Sequence, residues 1–237
     1  MRREVDINDI TDGNKYKSTD MVKVSCNDCR GCSKCCRDMG KSIILDPYDI
    51  YQLTKGLGLS FDELLTGEGT VDSLAEEGNE GPDDKSGVEP MIELSMVDGL
   101  MLPNILMDNK RKACSMLSEE GRCRIHEFRP GLCRLFPLGR LYEDGAFSYI
   151  NQIYECDYAN KSKVKIKKWL GIDNLAAYEK FVLKWHDFLE EVRQVADNAE
   201  DTDTVRAIMF GFIKRFFRDP YDTDRSFYEQ IEERFNA

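Results

Sequence analysis

Cysteine is the side chain here whose number and spacing point to chemistry. The chain carries nine cysteines against two histidines. Five of them fall in one run, Cys26-Asn-Asp-Cys29-Arg-Gly-Cys32-Ser-Lys-Cys35-Cys36. Two-residue gaps let successive sulfurs turn towards one centre, and Gly31 permits the tight wrap. The spacing is shared by zinc knuckles and bacterial ferredoxins, but the run does not close with the ferredoxin three-residue gap and proline. Adjacent side chains point apart on an extended backbone, so Cys35 and Cys36 need not serve the same atom: one can close a first site while the other faces a second.

The other four are Cys114, Cys123, Cys133 and Cys156. Cys123-Arg-Ile-His126 has ligand-like spacing, and the alternative for His126 is packing at a helix start. In a reducing compartment such a set serves metal binding or redox chemistry rather than disulfides. Nine thiols supply two four-ligand sites with one to spare, or one cluster and a free thiol. A radical S-adenosylmethionine motif is excluded, because Met39 stands where Cys32-x3-Cys36 would need its third cysteine. There is no glycine-rich phosphate loop and no dinucleotide fingerprint. His186, beside Trp185, reads as structural.

The elements that must position these thiols follow from pattern. Residues 1–25 are polar and read as a flexible arm or an edge strand. Ser42 to Leu45 is a short extended piece, and Asp46-Pro47 starts a helix that runs to about Lys55 and stops at Gly56 or Gly58. Ser60 and Glu63 have capping-box spacing. Residues 66–90, rich in Gly, Asp and Glu, read as a mobile acidic insertion. Asp98-Gly99 and Asp144-Gly145 predict two tight hairpins, Met91 to Val97 with Leu100 to Met107 and Leu138 to Glu143 with Ala146 to Ile153. Apolar residues from Leu175 to Val192 recur at helical spacing behind an Asp173 cap. Further helices are expected over Thr204 to Phe217 and Thr223 to Phe235. The methionines at 91, 96, 101 and 107 read as core filler. Lys161 to Lys168 holds five lysines, read as a solvated helix face or strand edge, with contact to RNA, a phosphate or an acidic partner as the alternative.

Composition narrows the classes. Thirty-three basic residues against 44 acidic ones give a formal charge of −11, which disfavours nucleic acid and anionic membranes as partners. No apolar run approaches the ~20 residues of a membrane span. The charged start, Met-Arg-Arg-Glu-Val-Asp, lacks a signal peptide's apolar stretch, so a cytoplasmic location is expected.

The run from Cys29 to Cys36, with Cys123-Arg-Ile-His-Glu-Phe-Arg129-Pro130-Gly-Leu-Cys133-Arg134-Leu-Phe136-Pro137, resembles the YkgJ-type CxxCxxCC cysteine-cluster family. That family is described as a zinc- or iron-chelating domain and is related to the domain of flagellin lysine N-methylases. The resemblance spans about residues 26 to 156. It implies a metal site drawn from Cys29, Cys32, Cys35, Cys36, Cys114, Cys123, Cys133 and Cys156, with Cys26 an addition and His126 standing where the family more often has Tyr. Arg129 and Arg134 flank Cys133, where a guanidinium would offset a cluster's negative charge or hold an anionic cofactor or substrate.

The expected fold is α+β: a cysteine-rich metal-binding module over 26–160 with short β-hairpins, backed by a helical C-terminal region over 171–237. The expected cofactor is an iron–sulfur cluster (4Fe-4S among the options) in preference to zinc, serving redox or group-transfer chemistry with a redox or other protein partner. A zinc-stabilised interaction module and a protein-lysine methyltransferase are the alternatives. Whether the chain is an enzyme stays open.

Overall fold

The structure, a computed structural model, describes residues 6–25, 32–67, 89–156, 158–199 and 201–237. Cys26, Cys29, Gly31 and most of the acidic insertion lie outside the described residues. The architecture is mixed α+β, with two-stranded antiparallel sheets and a helical C-terminal region.

The N-terminal stretch is tied down from residue 6. One turn, α1 (Ile7–Ile10), precedes Tyr16, which exchanges backbone hydrogen bonds with Tyr149 at 2.8 and 2.9 Å. Of the two readings for this stretch, the edge strand is taken over β1 (Met21–Ser25). Val22 and Val24 point into the core there, and Lys23 points out. The partner strand, β8 (Ser162–Lys165), comes from the far side of the cysteine module.

Ser42 to Leu45 runs beside the first hairpin; Leu45 donates to the Pro103 carbonyl and Ile105 donates to that of Ile43. Helix α2 (Pro47–Leu57) starts on a reciprocal capping box, Asp46 with Asp49, and ends against Gly58. Helix α3 (Phe61–Thr66) repeats the device with Ser60 and Glu63. The first hairpin is β2 (Ile92–Val97) with β3 (Leu100–Ile105); after β4 (Met107–Asp108) and β5 (Ala113–Cys114), the chain turns through α4 (Gly131–Leu135) into the second, β6 (Leu138–Glu143) with β7 (Ala146–Asn151). Both Asp-Gly turns have positive φ at both residues, the conformation whose twist matches a two-residue hairpin.

Helix α5 (Ile166–Leu170) leads to α6 (Leu175–Asp197), α7 (Thr202–Ile213) and α8 (Phe227–Asn236). The cap of α6 is Asn174, one residue after the expected Asp173; its side chain takes the Ala177 N–H at 3.3 Å. Asp201 starts α7 earlier than expected by capping Thr204, and α7 gives way to a π turn at Lys214–Arg218. Helix α8 starts later than expected because Gln230 bonds Asp222 through both its amide oxygen and its amide nitrogen, holding 222–226 as a loop. Trp185 meets Phe216 at 5.3 Å and Phe212 at 5.7 Å between ring centres, which packs α6 on α7 and the π turn. Phe227 of α8 lies 5.2 Å from Tyr48 and 5.1 Å from Phe181, so the helical layer grips α2. Among the described residues, no helix is long and apolar enough to cross a membrane.

One contact carries that grip to the cysteine module. Asp49, 3% exposed, accepts the Gly131 N–H at 2.7 Å, and Gly131 opens α4, which bears Cys133. A β-carbon on Gly131 would stand 2.1 Å from the Tyr178 hydroxyl, itself bonded by Arg140. Gly131→Ala therefore costs about 1–3 kcal/mol of stability through overpacking. Adding Tyr178→Phe removes the clashing oxygen and returns part of that loss in urea unfolding; equal stability of the single and double variants would show that the contact does not limit α4.

Candidate metal centre

Cys35 and Cys36 sit on a short 3-10 turn, Lys34–Cys36, entered through Ser33 with φ 45°. The extended geometry in which adjacent side chains point apart is not the one adopted here. The backbone is wound rather than extended, and their sulfurs lie 4.0 Å apart. The turn is stitched to β5: Arg37 bridges Ala113, and Asp38 donates to the Lys112 carbonyl. Cys114 ends that strand, so Cys36 and Cys114 are brought side by side by backbone pairing.

A compact loop then returns Cys123. Leu117 bridges Cys123, Ser118 donates to the Arg122 carbonyl, and Arg124 donates to that of Met116. The two cysteines of this loop are treated alike by the backbone. Met116 N–H donates to Cys114 Sγ at 3.4 Å, and the Ile125 backbone bonds the Cys123 sulfur. Each is an i to i+2 wrap, the arrangement in which backbone dipoles stabilise a thiolate that is holding a cation. Cys133 arrives on α4, placed by Asp49.

These three segments surround one cavity of about 420 Å³. Its wall includes Cys35, Cys36, Cys114, Cys123, Cys133 and Arg129, with Ile43, Ile105 and Ile125 excluding water. Cys32 is exposed and Cys156 is buried, and neither is part of that wall. Cys29 lies outside the described residues. Arg134 is turned to the loop instead, donating to the Arg129 carbonyl at 3.0 Å and to the Glu127 carbonyl. It thus holds the 127–134 loop in shape. His126 lines the cavity edge, with its Nε2 taking a hydrogen bond from Arg129 Nη1 at 3.1 Å.

The electrostatics are those of crowded thiols. Burial, and then the neighbouring Cys114, Cys35 and Cys123, push the Cys133 thiol well up. Burial pushes Cys114 up to about 11 and also raises Cys123. Cys36 is raised because it donates its proton to Cys35, and that same hydrogen bond, aided by Arg129, lowers Cys35 to about 7. Four of the five thiols therefore hold their protons until a cation replaces them. Arg129 Nε is buried without a hydrogen-bond partner. An orphaned guanidinium N–H beside an all-sulfur donor set fits a bound anionic metal–thiolate centre.

Sequence reasoning found every thiol of the cavity but missed Asp49, Met116 and Ile125. Asp49 carries a legible signal only as the third residue of α2; its reach to Gly131 crosses 82 positions.

Fold and cavity together define a thiol-lined metal-binding domain. The chain belongs to the CxxCxxCC family, described as a "putative zinc- or iron-chelating domain", whose profile matches residues 28–162. Neither the curated proteins nor the solved structures yield a match.

The raised thiols set a pH signature. In metal-free protein the stability that protonated Cys114 contributes is complete below its ordinary value of 9.0 and is lost as pH rises through about 11. Metal-free protein should thus unfold progressively more easily in urea across that window. Protein loaded with zinc or ferrous iron should release protons on loading, seen with a pH indicator, and should keep its stability there. Loading without proton release would place the metal elsewhere.

Proposed function

We propose that the cavity holds an iron–sulfur cluster through four of its thiolates and that the chain uses it to pass single electrons. The observation behind this reading is that five thiols share one cavity wall while, among the described residues, no three of them close on a single point. Four thiolates on one zinc sit at ~2.3 Å from the ion and leave no room between them. Here five cysteines from three segments share the wall of a cavity of about 420 Å³ with other side chains, Ile43, Ile105 and Arg129 among them. Among the described residues, no three Cys, His, Asp or Glu side chains are gathered tightly enough to hold a single ion. A polynuclear centre fits that spread better than one ion does.

Bound there, the cluster would supply a one-electron couple with charge shared over iron and sulfide. The chain's own residues would set the rest. Cys36, Cys114, Cys123 and Cys133 ligate, with Cys35 as the fifth thiol of the wall. Arg129 offsets the negative charge and donates from Nε. The Met116 and Ile125 N–H groups steady the sulfurs, and the three isoleucines keep water out.

Protein purified without oxygen should contain iron and acid-labile sulfide in matching amounts, with a brown chromophore that bleaches on reduction. Cys36→Ser or Cys133→Ser should remove most of it, and Cys156→Ser, outside the cavity, should lower it far less. Colourless protein carrying zinc alone would overturn the cluster and leave the cysteines as scaffolding.

Arg129→Gln separates charge from structure. Removing a positive charge beside the centre makes adding an electron harder, so the reduction potential falls while iron content is kept. An unchanged potential at full iron content would take Arg129 out of this role.

A further inference from the structure

The two-stranded ribbon of β1 and β8 has an unusual outer face. In its register Lys23 stands directly opposite Lys163, and Met21 stands opposite Lys165. All four are exposed, Met21 at 52%, while the Val22–Val164 pair between them faces the core. Lys167 and Lys168 continue the exposed basic surface into α5. Like charges directly opposed across an antiparallel pair destabilise the pairing. None of Lys23, Lys163, Lys165, Lys167 and Lys168 has an ion pair among the described residues. Asp20, the neighbouring carboxylate, is held in its own turn by the Lys17 N–H at 2.7 Å. A chain with a formal charge of −11 has acids to spare for these lysines, and among the described residues none is paired with them.

The ribbon is also mechanically continuous with the metal centre. Helix α5 follows β8 without a break and packs against α4, which carries Cys133. Trp169 of α5 donates from Nε1 to the Phe136 carbonyl at 3.2 Å, fastening the end of α4.

We propose that this lysine ribbon is the docking surface for a small acidic electron-carrying protein that exchanges electrons with the thiol-held centre. The inference rests on the redox reading above. Charge complementarity selects the partner, and exposed Met21 supplies the apolar contact that interfaces place within a charged rim. A long nucleic acid or an anionic bilayer would extend past the ribbon onto the acidic remainder of the surface and be repelled there. A compact acidic protein can confine its contact to the lysines.

The test uses the full chain with its centre in place and a reduced flavodoxin as the acidic probe. Stopped-flow reduction of the centre should be fast at low salt and slow as salt is added. Lys23→Glu should cut the low-salt rate by about ten-fold or more, within the range that electrostatic steering commands. The same substitution puts a Glu opposite Lys163, so the fold should be as stable as before or more so; a merely structural role predicts no change in rate. Reduction by dithionite should be unaffected. If dithionite reduces the centre but the flavodoxin rate ignores both salt and Lys23→Glu, the docking surface falls and the redox reading stands. If dithionite does not reduce a loaded centre, the redox reading falls and takes the inference with it. Binding of a single-stranded DNA 20-mer that is lost in Lys23→Glu, with flavodoxin reduction unchanged, would reassign the ribbon and overturn the proposal.

Discussion

Thiols crowded into a buried cavity cannot all ionise unless a cation joins them, and the rest of the structure depends on that constraint. Burial raises Cys114, Cys123 and Cys133, and each is raised further by other cysteines of the cavity. The protonated ring is tolerable, and the metal-bound ring is stable. The ionised ring without metal is the costly state, because low polarity strengthens repulsion between like charges. Metal binding and folding of this module are therefore linked, as the loss of the ligands' protons requires.

Holding such a ring together takes support from parts of the chain with no chemistry of their own. Cys36 is set by the stitching of its turn to β5, Cys114 and Cys123 by one loop, and Cys133 by a buried carboxylate on a helix from another region. That carboxylate is under strain of its own. Asp49 is raised to about 6 by burial, against the pull of the Gly131 and Asp46 N–H groups. Such a group stays fixed only if the helix that bears it is clamped. Tyr48 and Tyr51, on the first turns of α2, meet Phe227 at 5.2 and 5.4 Å. The C-terminal helices, which carry no motif of their own, thus connect to the cavity through α2 and Asp49.

What was legible in the sequence was local. Asp-Gly pairs force the two hairpins because few residues other than glycine and asparagine-like ones accept positive φ, and the Ser60–Glu63 capping box closes as its spacing says. Periodicity gave α6, and its cap moved by one because Asn174, not Asp173, has its side chain at the Ala177 N–H. Less legible was anything set by long-range packing. The wound turn that turns Cys35 and Cys36 to one cavity depends on Ser33 in a left-handed conformation. The same holds for Arg134, which flanks Cys133 in sequence as closely as Arg129 does. In space it serves backbone carbonyls, and Arg129 lines the cavity. Residue type alone cannot separate two arginines that differ only in the direction of a helical turn.

Charge ties the centre to the surface. A chain at −11 surrounds its buried thiols with a field that opposes any further negative charge, such as that from ionising one of them. That field is countered locally rather than by lowering the total. Arg129 stands in the cavity wall, and the exposed lysines of β8 and α5 lie on the segment packed behind Cys133. Beyond a Debye length of ~8 Å, exposed acids elsewhere are screened. What reaches the buried centre is then mainly the charge of its nearest groups, in which Arg122 and Arg129 stand beside Glu127 and the Asp49 carboxylate. The acidity repels polyanions at the surface, while in the cavity wall Arg129 supplies the local positive charge that an anionic metal–thiolate site needs on an acidic protein.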